Sequence, residues 1–393
     1  MKKSKEIKPD IETFAKIKVV GVGGSGGSAI NRMIDDKIRG VEFIAVNTDA
    51  QALSSSKART KVQVGVDTTK GLGAGMDPDI GARSAEENIE DVEKALADSD
   101  MVFITCGLGG GTGTGAAPII ADIAKNQDAL TVAVVTKPFN FEGAQRKAIA
   151  DRGLDELESR VDTIITIPND RILSIIDRKT SLLDSFKTVD DILHQGIQGI
   201  SEIITVPGLV NVDFADVKAI MADAGSALMG IGKADGEDRA KRAAKEAVDS
   251  PLLDVSIAGA KGILFTVTGG ADLTMFEVNE IAEIITASAD GNAKIIFGTV
   301  IDETMKGDIK VMVIATGFES FDVSKKNIGK GLHTSYTPNQ YISKNSSKLD
   351  EEDEEDENAI EIGDDDLEED SEEETNEVEN ELDIPAFIRK KMK

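Results

Sequence analysis

Seven residues, Gly109, Gly110, Gly111, Thr112, Gly113, Thr114 and Gly115, stand directly behind the apolar run 101–105. Five glycines leave few side chains in the way, so backbone N–H groups can close around a multiply charged anion while the two hydroxyls add donors. That is chemistry suited to a phosphate. The helical pattern that follows, 116–125, would aim its positive N-terminal end at the same anion. A second unit of this kind lies upstream, where the apolar run 17–20 enters Gly21, Val22, Gly23, Gly24, Ser25, Gly26, Gly27 and Ser28 before the helical pattern 29–36. Taken alone it satisfies G-x-G-x-x-G, with Asp49 placed roughly 20 residues on, as a ribose-binding acid would be. A dinucleotide fold has no use for a second, longer glycine turn, and the pair suggests two turns gripping one triphosphate. No segment spells G-x-x-x-x-G-K-[ST], so the usual phosphate-binding lysine loop is absent.

Elements must hold these turns in place, and the first half of the chain alternates short apolar runs with helical spacing. Strands are predicted at 17–22, 41–46, 62–64, 101–105, 131–136 and 163–167, with helices such as 81–97 and 143–158 between them. This alternation argues for an α/β fold with a Rossmann-like parallel sheet, helices on both faces, and ligands at the carboxyl ends of the strands. A long helix, 181–205, follows without another strand. In it Leu182, Leu183, Phe186, Val189, Ile192, Leu193, Ile197, Ile200 and Ile204 recur at three and four residues and should face packed neighbours. Beyond it, strands at 226–231, 262–268, 295–301 and 309–316 with helices at 238–249 and 275–287 make a smaller α+β unit.

With 393 residues, 40% of them apolar, the chain can bury a large core and fits two domains plus an extra segment. No apolar run is long enough to span a membrane, and the basic start is not followed by a signal-peptide core. A lone cysteine, Cys106, allows neither an internal disulfide nor a cysteine zinc site, and suits a reducing cytoplasm as a small buried hydrophobe. Of the formal charge of −28, residues 350–383 supply 22 acidic groups and no Lys or Arg, whereas 384–393 carry four basic ones. The rest is only mildly acidic, which argues against nonspecific nucleic-acid binding. The acidic run reads as a disordered, self-repelling linker. After it, Ile384, Pro385, Phe387, Ile388 and Arg389 form a small amphipathic basic patch, built like a tethered docking peptide; a frayed end with chance hydrophobes is the plainer alternative.

The two glycine turns, in this order and with this spelling of the second, resemble those of the tubulin/FtsZ family of GTPases, in its bacterial-type FtsZ branch. The likeness spans 16–318 and returns over the last ten residues. It implies a GTP-binding subunit that polymerises head to tail into a cytoplasmic division ring at mid-cell and hydrolyses GTP to GDP where subunits meet. The implied organisation is an N-terminal extension (1–15), a GTP-binding domain (16–180), the central helix (181–205), a GTPase-activating domain (206–318), the acidic linker (319–382) and the terminal peptide (383–393). That peptide would bind membrane-tethering and regulatory division proteins, with no direct membrane insertion and no specific nucleic acid.

By the same resemblance, Gly23, Gly24, Ser25, Gly26, Gly27 and Ser28, with Gly109–Gly115, would bind nucleotide. Ala74 and Gly75 belong to a run, 71–78, resembling the family's γ-phosphate sensor. Glu142 looks like the ribose acid and Arg146 its matching cation, an always-charged fork suited to phosphate or ribose oxygens; an exposed helical arginine is the plainer alternative. Phe186 and Asp190, four apart on one helical face, would stack on guanine and meet its N1 and N2 donors, and Asn169 would add an amide. Without the family, Phe186 reads as core and Asp190 as a solvated charge.

Asn211, Asp213 and Asp216 match the synergy loop, whose aspartates enter the neighbouring subunit's site and orient water. Asp213 could equally cap the next helix, with Asp216 in its first turn. Mg2+ is expected on phosphate oxygens and water, with no protein metal cage. His194 and His333 are poor candidates for a base. The sequence departs from the family at Gly27-Ser28, at Met76-Asp77 and at Ala144; the added carboxylate and lost amide donors would weaken nucleotide affinity or slow turnover, while the remaining backbone donors should keep binding intact. The competing reading is an NAD-dependent Rossmann-type oxidoreductase built on the upstream fingerprint and Asp49.

Overall fold

The computed structural model describes residues 15–318, apart from 178, 207, 211, 254 and 255; Asn211, His333, the acidic linker and the terminal peptide lie outside it. Ten strands form one sheet: β1 (Ile17–Val22), β2 (Val41–Asn47), β3 (Thr60–Gln63), β4 (Met101–Gly107), β5 (Leu130–Lys137), β6 (Thr163–Pro168), β7 (Gly225–Asp235), β8 (Gly262–Gly269), β9 (Lys294–Ile301) and β10 (Asp308–Thr316). Their order is β3-β2-β1-β4-β5-β6-β7-β10-β8-β9. The first six are parallel throughout, with Val19 opposite Phe43 on one side and Phe103 on the other. A short parallel stretch, Thr163–Ile165 against Gly225–Ala227, joins β6 to β7. Past it β10 lies antiparallel between β7 and β8, and β9 runs parallel to β8.

The helices are α1 (Gly23–Asp35), α2 (Ala50–Ser55), α3 (Val66–Thr69), α4 (Pro78–Glu87), α5 (Ile89–Leu96), α6 (Thr112–Asn126), α7 (Ala144–Glu158), α8 (Asn169–Ile172), α9 (Leu182–Thr205), α10 (Phe214–Met221), α11 (Arg239–Val248) and α12 (Met275–Ala287). One apolar layer lies where α1 and α9 cover one sheet face, around Met33, Phe103, Leu193 and Ile197. A second lies on the other face under α5 and α6, around Val20, Ile104 and Ile120. A third, under α11 and α12, gathers Ala243, Phe265 and Ile281. β4 is buried along its first six residues because helices cover both of its sides, as its unbroken apolar run requires.

Several expectations change. The helix predicted over 81–97 is two helices, broken at Asn88, whose side-chain oxygen accepts the Gly65 N–H at 2.9 Å. Both glycine turns, read as loops before helices at 29 and 116, are partly helical: α1 begins at Gly23 and α6 at Thr112, while Gly109–Gly111 stay in a turn before α6. Leu182 and Leu183, in a pattern most of which was expected to be packed, are 64% and 66% exposed, while from Val189 onward every α9 residue is buried or half-buried.

At the far end of the sheet, Arg239 is 10% exposed and forks onto Glu277 and Asp272 at 2.6 Å each, locking α11 to the start of α12. Bonding to Arg239 holds the Glu277 carboxyl down at about 2. A carboxylate depressed in the folded state adds stability above its unfolded pKa and loses it as pH falls toward the folded value. Arg239→Met should therefore lower stability at pH 7 by about 2 kcal/mol, and in urea titrations it should flatten the fall in stability between pH 4.5 and 2.

Candidate functional site

Both glycine turns meet at the carboxyl ends of β1 and β4, and their glycines are there because backbone packs on backbone. A Cβ on Gly26 would stand 2.3 Å from the Thr105 carbonyl, and one on Gly115 would stand 1.9 Å from that of Pro78. Gly23 takes a left-handed φ of 72° and lies against Gly113, so the two turns touch. Run 71–78 closes the third side: the Gly111 N–H donates to the Gly75 carbonyl at 2.8 Å. In contrast, a Cβ at Gly24, Gly27, Gly75 or Gly110 would meet no atom within 4 Å. These four positions face open space around one cleft. The first-turn N–H groups of α1 and α6, which have no acceptor within their own helices, open beside it.

The threonines brace this cleft. Thr112 shares a buried 2.7 Å hydrogen bond with Thr48, and Thr114 accepts the Gly109 N–H at 2.9 Å. Thr48 was not anticipated, although its place just beyond the carboxyl end of β2 is where a ligand-side residue is expected. Below, Cys106 packs near the Cβ direction of Gly113 and is fully buried, which pushes its thiol up to about 12. Asp77 has a structural role as well: its carboxylate caps α4, accepting the Asp79 N–H at 3.0 Å and the Ile80 N–H at 3.4 Å. Asp49 likewise caps α2 through Gln51 and Ala52 at 2.8 and 3.0 Å, so the ribose acid of the oxidoreductase reading is already engaged.

The turn after β5 joins this cleft to α9. Glu142 accepts the Phe139 N–H at 2.9 Å and pairs with Arg146 at 2.8 Å, while the stem of Arg146 lies over Gly109. Phe139 is buried and meets the Phe186 ring edge-on, centroids 5.7 Å apart, leaving Phe186 41% exposed as a platform. Phe141, also unanticipated, stacks on Phe139 at 4.9 Å. Two buried polar atoms here have no hydrogen-bond partner, Nε of Arg146 and Oδ1 of Asn169. Unsatisfied groups of this kind cost stability unless a ligand or water completes them.

One turn beyond Phe186, Asp190 has its carboxyl pushed up to about 6, chiefly by burial and then by the charge of Asp191, against the pull of Arg32. Arg32 of α1 pairs with Asp191 at 2.7 Å, and His194 Nδ1 stands 3.2 Å from Asp36. Burial holds the His194 imidazole below its usual range, which keeps it a neutral part of the α1–α9 seam. Among the described residues no three His, Cys, Asp or Glu side chains gather as a metal site.

Asp213 and Asp216 are not brought to the cleft. Both are exposed; Asp213 caps α10 by accepting the Ala215 N–H at 3.3 Å, and Asp216 lies in its first turn. They lie beyond the carboxyl end of α9, about 28 Å of helix after Phe186.

Residues 16–177 match the GTPase domain model of the tubulin/FtsZ family, and residues 225–319 match the FtsZ family C-terminal domain. The fold superimposes on an empty FtsZ dimer from M. jannaschii with a TM-score of 0.75 and 48% identity, covering 78% of this chain and 89% of that one. A single-substitution variant of the M. jannaschii protein gives the same score and identity over 92% of its length. A GTPgS-bound protofilament of CetZ2 from Haloferax volcanii, 22% identical, shares the fold with a TM-score of 0.66 over 78% of this chain and 94% of that one. This chain therefore belongs to the tubulin/FtsZ family of GTPases, in its FtsZ branch.

Proposed function

We propose that the chain is the subunit of a GTP-driven, head-to-tail polymer of the cytoplasmic division ring at mid-cell, with GTP cleaved only where two subunits meet. The observation that carries this reading is the exposure of Asp213 and Asp216 beyond the carboxyl end of α9, a helix about 36 Å long whose amino-terminal part carries Phe186 and Asp190. A carboxylate pair so placed can act on a triphosphate only in another copy. Exposed apolar side chains support it: Leu72, Met76 and Phe141 rim the cleft, and Leu209 and Val210 flank the aspartates. Two unlike patches on one molecule make heterologous contacts that propagate as a filament.

In this reading, Gly23–Ser28 and Gly109–Gly115 hold the phosphates through backbone N–H groups, with Ala74 and Gly75 at the terminal phosphate. Glu142, Arg146 and Asn169 take the ribose, a phosphate oxygen and the base edge, which would complete the two unpartnered atoms. Phe186 stacks on guanine and Asp190 accepts from its N1 and N2. The neighbour's Asp213 and Asp216 position the attacking water and take up its proton, with Asn211 beside them. Mg2+, held on phosphate oxygens and water, would neutralise charge on the triphosphate. Ile384, Pro385, Phe387, Ile388 and Arg389 dock to membrane-tethering and regulatory division proteins; no helix among the described residues is long and apolar enough to cross a membrane.

The test follows GTP turnover per chain and light scattering across protein concentration. Turnover should rise steeply above a threshold and coincide with scattering; equal turnover per chain in a dilute, monomeric sample would overturn the reading. A glycine pair tests the cleft separately. Gly110→Ala places its methyl in open space, so stability should hold within about 0.5 kcal/mol while GTP affinity falls. Gly111→Ala drives its methyl to 2.7 Å from the Ala74 and Gly75 carbonyls, and thermal or urea unfolding should register a loss of about 2 kcal/mol.

A further inference from the structure

Two cavities lie away from the cleft. One groove of about 560 Å³ has an apolar floor of Ile34, Ile38, Val41 and Phe43, with Glu42, Arg59 and Lys57 around it, Lys57 being paired with Asp35 at 2.6 Å. Another, of about 570 Å³, shares Val41 with the first and is bordered by Ala15, the first described residue. Ile34, Val41 and Phe43 are only partly buried, although they pack on the main core. The sheet is also incomplete here. β3 pairs with β2 only from Ile44 onward, so residues 41–43 present an open outer edge among the described strands.

Fourteen residues precede Ala15, and they suit this surface. Ile7, Ile11 and Phe14 follow one another at four and three residues, which puts them on one side of a segment with helical spacing. Between them Lys8, Asp10 and Glu12 leave a net negative charge, opposite to that of Arg59. Reach is ample: residues 7–14 span about 12 Å as a helix and about 26 Å extended, against the two strand spacings, roughly 10 Å, from β1 to β3. We propose that residues 7–14 seat in the groove beside β2, with Ile7, Ile11 and Phe14 on its apolar floor and Asp10 and Glu12 toward Arg59. The N-terminal extension is then an intramolecular clamp on the end of α1 and the open edge of β2, independent of nucleotide.

Amide hydrogen exchange of the nucleotide-free full chain tests this, against Ile11→Asp/Phe14→Asp and against a chain lacking residues 2–14. The clamp predicts exchange about tenfold faster over residues 34–43 in both variants, unchanged exchange in α11 and α12, and protection in the parent chain that does not vary with protein concentration. Equal exchange over 34–43 in the parent and the doubly substituted chain would overturn the proposal. So would protection that grows with concentration, since a second copy would then be the occupant. Should the shortened chain fail to fold, the doubly substituted full-length chain still decides between these results.

Discussion

Asp213→Ala or Asp216→Ala should lower GTP turnover by about 10²- to 10³-fold, the scale of losing a group that orients and deprotonates a nucleophile. GTP affinity of the isolated chain should stay within about twofold. The two effects separate because neither carboxylate lies near its own glycine cleft. Asp213 complicates the result, since its carboxylate also caps α10, and losing a cap costs about 1 kcal/mol. Asp213→Ser resolves this: serine caps as well as aspartate but cannot take up a proton, so stability should return to the parent value while turnover stays low. Recovery of turnover in the serine variant would show that the cap alone matters. Phosphate release assays with equilibrium nucleotide binding and urea unfolding on the same three variants supply the numbers.

Asp190→Asn should lose about 10²- to 10³-fold in GTP affinity and gain affinity for xanthosine triphosphate. In the proposed reading the carboxylate accepts two N–H groups from guanine, each charge-assisted bond contributing about 1.5–3 kcal/mol. An asparagine amide instead accepts one N–H and donates to the carbonyl that xanthine carries at the second position. Because burial holds the free Asp190 carboxyl at about 6, guanine must meet it ionised. GDP affinity should therefore be level above that pH and fall up to tenfold per pH unit below it, a slope absent from the asparagine variant. Stability should move the other way. A carboxyl raised in the folded state contributes stability that is present below its unfolded pKa and lost as pH rises through the folded one, so at pH 7 the ionised group is a burden. Removing it should stabilise the free chain by about 1 kcal/mol once solvent screening of a partly exposed group is allowed for. A variant that binds guanine as before would show that another group reads the base.

All ten strands were legible; β4 and β5 read as near-continuous apolar runs because helices cover both faces of the sheet there, whereas the edge strands β3 and β9 keep polar or exposed positions. Short helices were not: α2, α3 and α8 have four to six residues each, too few to show a period. The glycine turns were found for a reason only partly right. Open loops were inferred from missing side chains, yet Gly26 and Gly115 are glycine because the starts of α1 and α6 press against neighbouring backbone. The capping role of Asp77 went unread because a carboxylate beside a glycine run is read by its charge, although Pro78 behind it marks a helix start that needs a cap. Leu182 and Leu183 continue the α9 pattern past the point where anything covers them, and periodicity carries no information about where a neighbour stops.

Cys106 gives the molecule a built-in clock. Its thiol lies beneath the glycine turns with no exposed surface, and burial keeps it protonated, so alkylating reagents cannot consume it while the sheet's ligand end stays closed. The rate at which iodoacetamide labels the chain therefore counts how often that end opens. Any nucleotide that tightens the turns should slow the count by its own binding free energy.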